Sequence, residues 1–429
     1  RPVESTRSRN AGNSRMPQPR SSSAPVLSAE EIVAGKLGQF ARSRRALVHE
    51  LARHFKREVP GDVDRFFAAI EVGRWEDADA IFKSLRESDK NSAGPASENL
   101  HGLWRPIQET WGIARAVQDW PAQKLLDYGN SVLGSLRPGM VYVGGTDPGC
   151  FIPTFLNETS EGERHIVLTQ NALADKTYLE HLGFLYGDRM GMLTEEDSNR
   201  AFQSYIADAQ KRLQHDQQFP DEPKQIRPGE QVKQDPAGRV QVSGAAAVMG
   251  INERLLQTLL EKNPDLSFAL EESFPFKSTY ANAAPLGPVM ELRAQDEQNA
   301  FTSERAAQTV EFWRTTAQQL LADPEAAGSF NTIASWSKLA TGQANLLAGR
   351  NYNAQAEQAY RAALEIFPGT PDAATGLAEV LARQGRGDEA RQLLDDFVQK
   401  NPAQRDFIEA SRQALLPAKP PGKASSSQP

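Results

Sequence analysis

The chain has 429 residues and a formal net charge of −7, long enough for two or three structural units and too acidic for a general nucleic-acid binder, which carries a basic stripe interleaved with aromatic residues. Its single cysteine, Cys150, excludes an intrachain disulfide and a cysteine-built zinc site. No apolar run approaches the roughly 18 residues that cross a bilayer, and no apolar signal-peptide core opens the chain.

Residues 1–27 are rich in Ser, Pro, Asn and Arg, with Arg1, Arg7, Arg9, Arg15 and Arg20 set against Glu4, and read as a disordered basic linker. Such an arm suits an anionic surface or the cytoplasmic side of a membrane anchor; a merely solvated arm is the alternative. The first residue is Arg1 rather than methionine, so an N-terminal piece processed away or left out is expected, an anchor being one candidate for it. A membrane-anchored or periplasmic protein is therefore favoured, with a cytoplasmic one as the alternative. Ser28-Ala29-Glu30-Glu31 is a capping-box start, and helical spacing predicts helices over 29–56, 62–72 and 75–87. Gly73-Arg74-Trp75-Glu76-Asp77-Ala78, followed by Phe82 and Leu85, resembles the turn and second helix of a tetratricopeptide unit, although a generic helical hairpin explains it equally. This helical region, 28–100, ends in a polar linker containing Gly94 and Pro95.

A central region, 101–325, begins with two amphipathic helices, one carrying Trp104, Ile107, Trp111 and Ala114, the other running from Pro121 into Leu136. Pro138-Gly139 ends the second and feeds an apolar run, Met140 to Val143. Then come the turn Gly144-Gly145-Thr146-Asp147-Pro148-Gly149, a helix-length segment and a second apolar run, Ile166-Val167-Leu168. This is the layout of an open α/β sheet, in which ligands sit beyond the carboxyl ends of the strands. A helix follows over 175–186, and Thr194-Glu195-Glu196-Asp197 caps another reaching about His215. Pro220 to Pro236 reads as a lid-like loop or an insertion. Strands over 239–242, 266–270 and 289–292 and helices over 246–261 and 302–321 complete the region. The fold class expected is a central α/β domain with a mainly parallel, Rossmann-like sheet, flanked by a helical N-terminal region and a C-terminal helical array.

The glycine turn lacks both the Lys-Ser/Thr ending of a Walker loop and the dinucleotide fingerprint, so no cofactor is expected. A turn followed by a helix still offers free N–H groups to an anion or a sugar hydroxyl. Asp147 is the natural polar anchor there, or else the N-cap of the helix opened by Pro148. Gln170, Asn171 and Asp175 lie at the neighbouring strand end, Asp175 also fitting an N-cap. The candidate ligand-binding set is thus Gly144, Gly145, Thr146, Asp147, Gln170, Asn171 and Asp175, for a small polar ligand or glycan. A carboxylate metal site from Asp147 and Asp175 is the weakest reading, and no metal is expected. The six histidines show no zincin spacing, and no serine sits in a Gly-x-Ser-x-Gly elbow. Cys150 at a helix N-terminus is either an activated thiol or a small buried residue, and the second fits better because no histidine is evidently paired with it.

In the C-terminal third, 330–415, Ala356, Tyr360, Ala363 and Pro368 recur 34 residues later as Ala390, Leu394, Phe397 and Pro402. This is tetratricopeptide spacing: small residues let two helices approach, a large one fills the groove between them, and proline ends the pair. Such a short array is expected to dock on the preceding domain or on a partner. It implies a protein or peptide partner, with Tyr360 and Leu394 as candidate contacts. A final helix from about Ala403 to Leu415 precedes a disordered tail, 416–429.

Taken together, Gly139 through Asp147, Phe151-Ile152-Pro153, Glu163-Arg164-His165-Ile166-Val167 and Leu173-Ala174-Asp175-Lys176-Thr177-Tyr178 resemble the soluble region that follows the membrane spans in a bacterial family of unknown function related to protein O-mannosyltransferases. The likeness covers about 122–295. His165 stands where that family often has an acidic residue, and the spans that carry transferase chemistry are absent from this sequence. The resemblance implies a related soluble module, facing glycans or proteins outside the cytoplasm and joined to repeats. The leading expectation is a non-catalytic binding or scaffold protein; the alternative is an enzyme acting on a glycan or nucleotide-sugar.

Overall fold

The computed structural model describes residues 27–91, 100–293 and 301–415, leaving aside the side chains of 88–91. The linker around Gly94 and Pro95, the tail over 416–429 and all but the last residue of the basic N-terminal arm lie outside the described residues.

Helix α1 (Ala29–Phe55) opens with the expected capping box: the Ser28 hydroxyl accepts from the Glu31 N–H while the Glu31 carboxylate accepts from the Ser28 N–H. It packs on α2 (Gly61–Glu71), which in turn packs on α3 (Trp75–Asn91). Phe82 of this layer, itself against Phe66, meets Trp104 and Trp111 of α4 (Trp104–Asp119), stacking on Trp111 at 4.5 Å. Thus 28–91 is joined to the centre of the molecule by apolar contact. Next come α5 (Ala122–Ser135), β1 (Val141–Gly144), α6 (Pro148–Glu158) and β2 (Ile166–Thr169), in the order the sequence implied.

Helices α7 (Lys176–Tyr186) and α8 (Glu195–Gln218) lead to β3 (Gln231–Gln234), β4 (Val240–Ser243) and α9 (Ala245–Lys262). Strands β5 (Phe268–Leu270), β6 (Ala284–Leu286) and β7 (Val289–Leu292) finish the sheet. Its order is β2-β1-β5-β7-β6. β1 runs parallel to β2 and β5, whereas β7 is antiparallel to both β5 and β6. The sheet is therefore mixed, not mainly parallel, and no Rossmann arrangement is evident. The cause is local. β6 and β7 are joined by a two-residue turn with Gly287 at φ 55°, and a hairpin connection makes antiparallel neighbours. β6 carries Pro285, which an edge strand tolerates.

β3 and β4 form a separate antiparallel hairpin, in which β3 falls inside the region read as a lid-like loop or an insertion and β4 is the strand expected over 239–242. Its turn is closed by Asp235, whose carboxylate accepts from the N–H groups of Ala237 and Arg239. Only Val232 of β3 is apolar, so alternation could not reveal that strand.

The C-terminal part is helical: α10 (Ser303–Ala322), α11 (Pro324–Gly328), then the pairs α12 (Phe330–Gly349) with α13 (Asn353–Ile366) and α14 (Pro371–Arg383) with α15 (Gly387–Lys400), and finally α16 (Arg405–Leu415). Ala356, Ala363 and Ala390 are completely buried, which lets paired helices approach closely. Gly376 is needed for the same reason, since a Cβ there would meet the Tyr360 ring at 2.4 Å. The array docks on the preceding region. Gln343 of α12 donates to the Val289 carbonyl of β7, and Arg350 donates to the carbonyls of Tyr280 and Ala283. Trp336 of α12 packs edge-on against Tyr128 and Trp313, and one apolar cluster runs from Val33 to Ile408.

Candidate functional site

Two places hold the candidate residues. The first is the carboxyl end of β1 and β5. Here the glycine turn closes on the protein itself: a Cβ on Gly145 would meet the Ser273 Oγ at 2.3 Å, and one on Gly149 would fall 1.8 Å from the Glu271 carboxylate. Gly144 is equally tight, 2.8 Å from the Gly149 carbonyl by the same measure. The Thr146 N–H donates to Ser273 Oγ at 2.7 Å, and Lys338 Nζ donates to Thr146 Oγ1 at 3.1 Å.

Asp147 is exposed and holds φ 24°, ψ −90°, with no side-chain hydrogen bond to the helix it precedes, so the capping role does not apply to it. The opposite holds for Asp175. Its carboxylate accepts from the N–H groups of Thr177 and Tyr178 and from Thr177 Oγ1, and is committed to the first turn of α7.

Gln170 is completely buried; its Nε2 donates to the carbonyls of Gly144 and Glu271, and its Oε1 accepts from Ser273 N–H, so it ties the turn to the end of β5. The Asn171 carbonyl accepts from Asn252 Nδ2, and its Oδ1 is buried without a partner among the described residues. Hydrogen bonds thus bring Gly144 and Gln170 together and add Ser273 and Lys338 beside Thr146. Among the described residues none joins Asp175 to Asp147.

Beneath this turn lies a buried carboxyl that sequence reasoning missed. Glu271 is 4 % exposed. Tyr128 OH lies 3.1 Å from its Oε1, and Tyr142 OH lies 2.6 Å from both its Oε2 and the Gly149 carbonyl. One phenolic hydrogen serves one of two such acceptors. The arrangement is satisfied when Glu271 is protonated, donating to the Tyr142 oxygen while Tyr142 donates to Gly149. Burial drives the same result, pushing the Glu271 carboxyl up to about 7 against the pull of the two tyrosines. Glu272, next in the chain, is likewise pushed up to about 7 by burial. It accepts from Asn345 Nδ2, Tyr280 OH and Phe276 N–H.

The second place is a groove of ≈1090 Å³ between the array and α9. One wall is built from the first helix of each pair and the last helix: Asn345 of α12, Thr375, Glu379 and Arg383 of α14, and Phe407 and Leu415 of α16. The other wall is α9, through Met249, Glu253 and Arg254, with the segments 224–228 and 274–280 beside it. Lys277 reaches across to Glu379 at 3.9 Å. Tyr360 lines the floor, and its OH donates to Asn345 Oδ1 at 2.6 Å, which links the groove through Asn345 to buried Glu272. Leu394 is completely buried on α15 and is not among the groove residues. A signal for the true lining was present: positions 372, 375, 376, 379 and 383 follow helical spacing along one face of α14. Nothing in the sequence pointed to α9 as the facing wall. Gly144, Gly145, Thr146, Asp147, Gln170, Asn171 and Asp175 line none of it.

Residues 348–410 match the family model described as Tetratricopeptide repeat. The C-terminal segment carries tetratricopeptide repeats. The match agrees with the 34-residue recurrence and with the helix pairs, and it spans α13, α14 and α15. No curated protein and no solved structure matches the chain. Among the described residues no helix is long and apolar enough to cross a membrane, and no group of three His, Cys, Asp or Glu is placed to hold a metal ion.

Proposed function

We propose that this protein is a binding scaffold whose tetratricopeptide repeats and α9 together grip an extended peptide segment of a protein partner. The observation that carries the reading is the groove itself. Its inner wall crosses three helices that lie side by side, α12, α14 and α16, the first of each pair and the last of the array. At about 8–10 Å between neighbouring helices, that wall extends roughly 16–20 Å, the length of about five or six extended residues. The space of ≈1090 Å³ also exceeds the usual ~300–1,000 Å³ of a small-molecule pocket. Apolar Met249, Val380 and Phe407 line it together with Lys277, Arg254, Arg383, Glu253 and Glu379, charges of both signs that suit a peptide's mixed side chains.

The test is selection of peptides from a random display library on the full chain, followed by fluorescence anisotropy on the selected sequences. Thr375→Trp, which fills the groove from α14, lowers affinity by about tenfold or more, equivalent to about 1.4 kcal/mol. Gln392→Trp, on the exposed side of α15, leaves binding unchanged. Equal binding by a folded Thr375→Trp protein refutes the proposal. The resemblance of 122–295 to a membrane-anchored family supports a further proposal, that the groove works close to a membrane. An open reading frame with no apolar segment upstream of Arg1 counts against that placement.

A further inference from the structure

The floor of the groove connects to a buried carboxyl. Glu272 is 5 % exposed, and its two oxygens are engaged unequally. Oε2 accepts from the Phe276 N–H at 2.9 Å and from Tyr280 OH at 2.7 Å, whereas among the described residues Oε1 accepts from Asn345 Nδ2 alone, at 2.7 Å. The other end of the same amide, Asn345 Oδ1, accepts from Tyr360 OH at 2.6 Å. Asn345, Tyr360 and Gly376 all line the groove. A Cβ on Gly376 would sit 2.6 Å from the Tyr360 hydroxyl oxygen, so that hydroxyl reaches the groove where residue 376 has no side chain to cover it.

Three donors around one carboxyl suit its ionised form, which only accepts. Burial nevertheless pushes Glu272 up to about 7, against the pull of Asn345, Phe276 and Tyr280, and Glu253 of α9 raises it further. Glu379, Arg383 and Asp372 of α14 act on Tyr360, which burial keeps protonated. Glu271, next in the chain, faces Tyr128 and Tyr142 and lines no part of the groove. Once protonated, Glu272 has a hydrogen to donate. Oε2 already holds two donors, one of them a backbone N–H that cannot turn away. Oε1 faces an amide that exchanges its oxygen and nitrogen by turning over, with almost no change in shape. The turned Asn345 accepts from Oε1 and donates to the Tyr360 oxygen, which releases the phenolic hydrogen to the groove.

We propose that Glu272, acting through Asn345, sets whether Tyr360 offers the groove a hydrogen-bond acceptor or a donor, and so makes the choice of peptide depend on pH. This regulation rests on the peptide-binding reading of the groove. With Glu272 ionised, the phenolic hydrogen is committed to Asn345, and the Tyr360 oxygen accepts from an N–H of the peptide. With Glu272 protonated, Tyr360 donates to a peptide carbonyl. A peptide that meets Tyr360 through a carbonyl therefore binds more tightly as pH falls through about 7, because its binding favours the protonated carboxyl. One that meets it through an N–H binds more tightly as pH rises.

The test selects histidine-free peptides on the full chain at about pH 5.5 and at about pH 8.5, then measures each affinity by fluorescence anisotropy across that range. Each set binds about fivefold more tightly at the pH of its selection, a change that one hydrogen bond supports. Glu272→Gln, with a permanent donor in place of the acid hydrogen, shows the acid-pH preference throughout, and Glu271→Gln keeps the wild-type dependence. Should Glu272→Gln not fold, Tyr360→Phe removes the dependence instead. In the peptide-free protein the Asn345 side-chain amide signal, assigned by its loss in Asn345→Asp, moves as pH crosses about 7. Affinities that ignore pH, a dependence undiminished in folded Glu272→Gln or Tyr360→Phe or lost in Glu271→Gln, or a stationary Asn345 signal each overturns the regulation and leaves peptide binding standing. Failure to select any peptide refutes the groove reading itself, and this regulation with it.

Discussion

Replacing Glu271 by Gln tests whether a buried carboxyl is kept neutral under the glycine turn. Glutamine preserves the arrangement: its Oε1 accepts from Tyr128, and its Nε2 takes the place of the protonated oxygen and donates to Tyr142, which keeps its bond to Gly149. What the substitution removes is the proton. Below about pH 4.5 the carboxyl is protonated in both the folded and the unfolded chain, so the stability difference between wild type and Glu271→Gln is a constant. Between 4.5 and about 7 the unfolded chain releases the proton while the folded chain keeps it, and wild-type stability falls. Above about 7 both states release it and the loss stops.

At about 1.4 kcal/mol per pH unit, that window corresponds to about 3 kcal/mol in favour of the glutamine variant at alkaline pH. Glu272 titrates over the same range but is present in both proteins, so its contribution cancels in the difference. Urea unfolding of the two proteins across a pH series, followed by fluorescence of buried Trp313 and Trp336, measures it. A stability difference that stays flat from pH 4.5 to 8.5, within about 0.5 kcal/mol, refutes the neutral carboxyl and with it the assigned direction of the Tyr142 hydrogen bond.

Gly149→Ala places a Cβ 1.8 Å from the Glu271 carboxylate and is expected to cost about 1–3 kcal/mol in urea unfolding. Truncating Glu271 in the same chain should recover part of that loss, and additive effects would disprove the clash. Asp147→Gly removes a side chain from a positive φ without breaking a cap, and is expected to raise stability by about 1 kcal/mol, where a capping role would predict a loss. The same variant bears on the enzyme alternative. A nucleotide-sugar that shifts the wild-type melting temperature but not that of Asp147→Gly would assign its carboxylate to ligand binding; equal shifts would exclude that role.

Much of the local structure was legible in the chain. The capping boxes at Ser28 and Thr194, the stop at Pro138-Gly139 and the runs around Val141, Ile166 and Val289 each depend on residues within a turn or two of one another. The alanine and aromatic spacing of α13 and α15 is similarly local, and it revealed the helix pairs. Tyr360 and Leu394 look alike in that pattern because both fill the space between paired helices. Only the position of the neighbouring helices makes Tyr360 part of the groove floor and Leu394 core. Asp147 and Asp175 are a second such pair, each followed by a helix. The cap formed at Asp175, where the backbone is extended, and not at Asp147, whose φ of 24° lies outside the extended range that a capping residue adopts.

By itself the sequence determined where the helices and most strands begin and end and that the last third is a repeat array, because periodicity and capping are short-range properties. Tertiary structure alone decided that β7 turns antiparallel on β5, that Glu271 and Glu272 are buried, and that α9 faces the repeats across a groove. Each depends on segments tens to more than a hundred residues apart, such as Tyr128 with Glu271 or Lys277 with Glu379. Proximity of that kind arises from packing of the whole chain, and no local pattern of residue types encodes it.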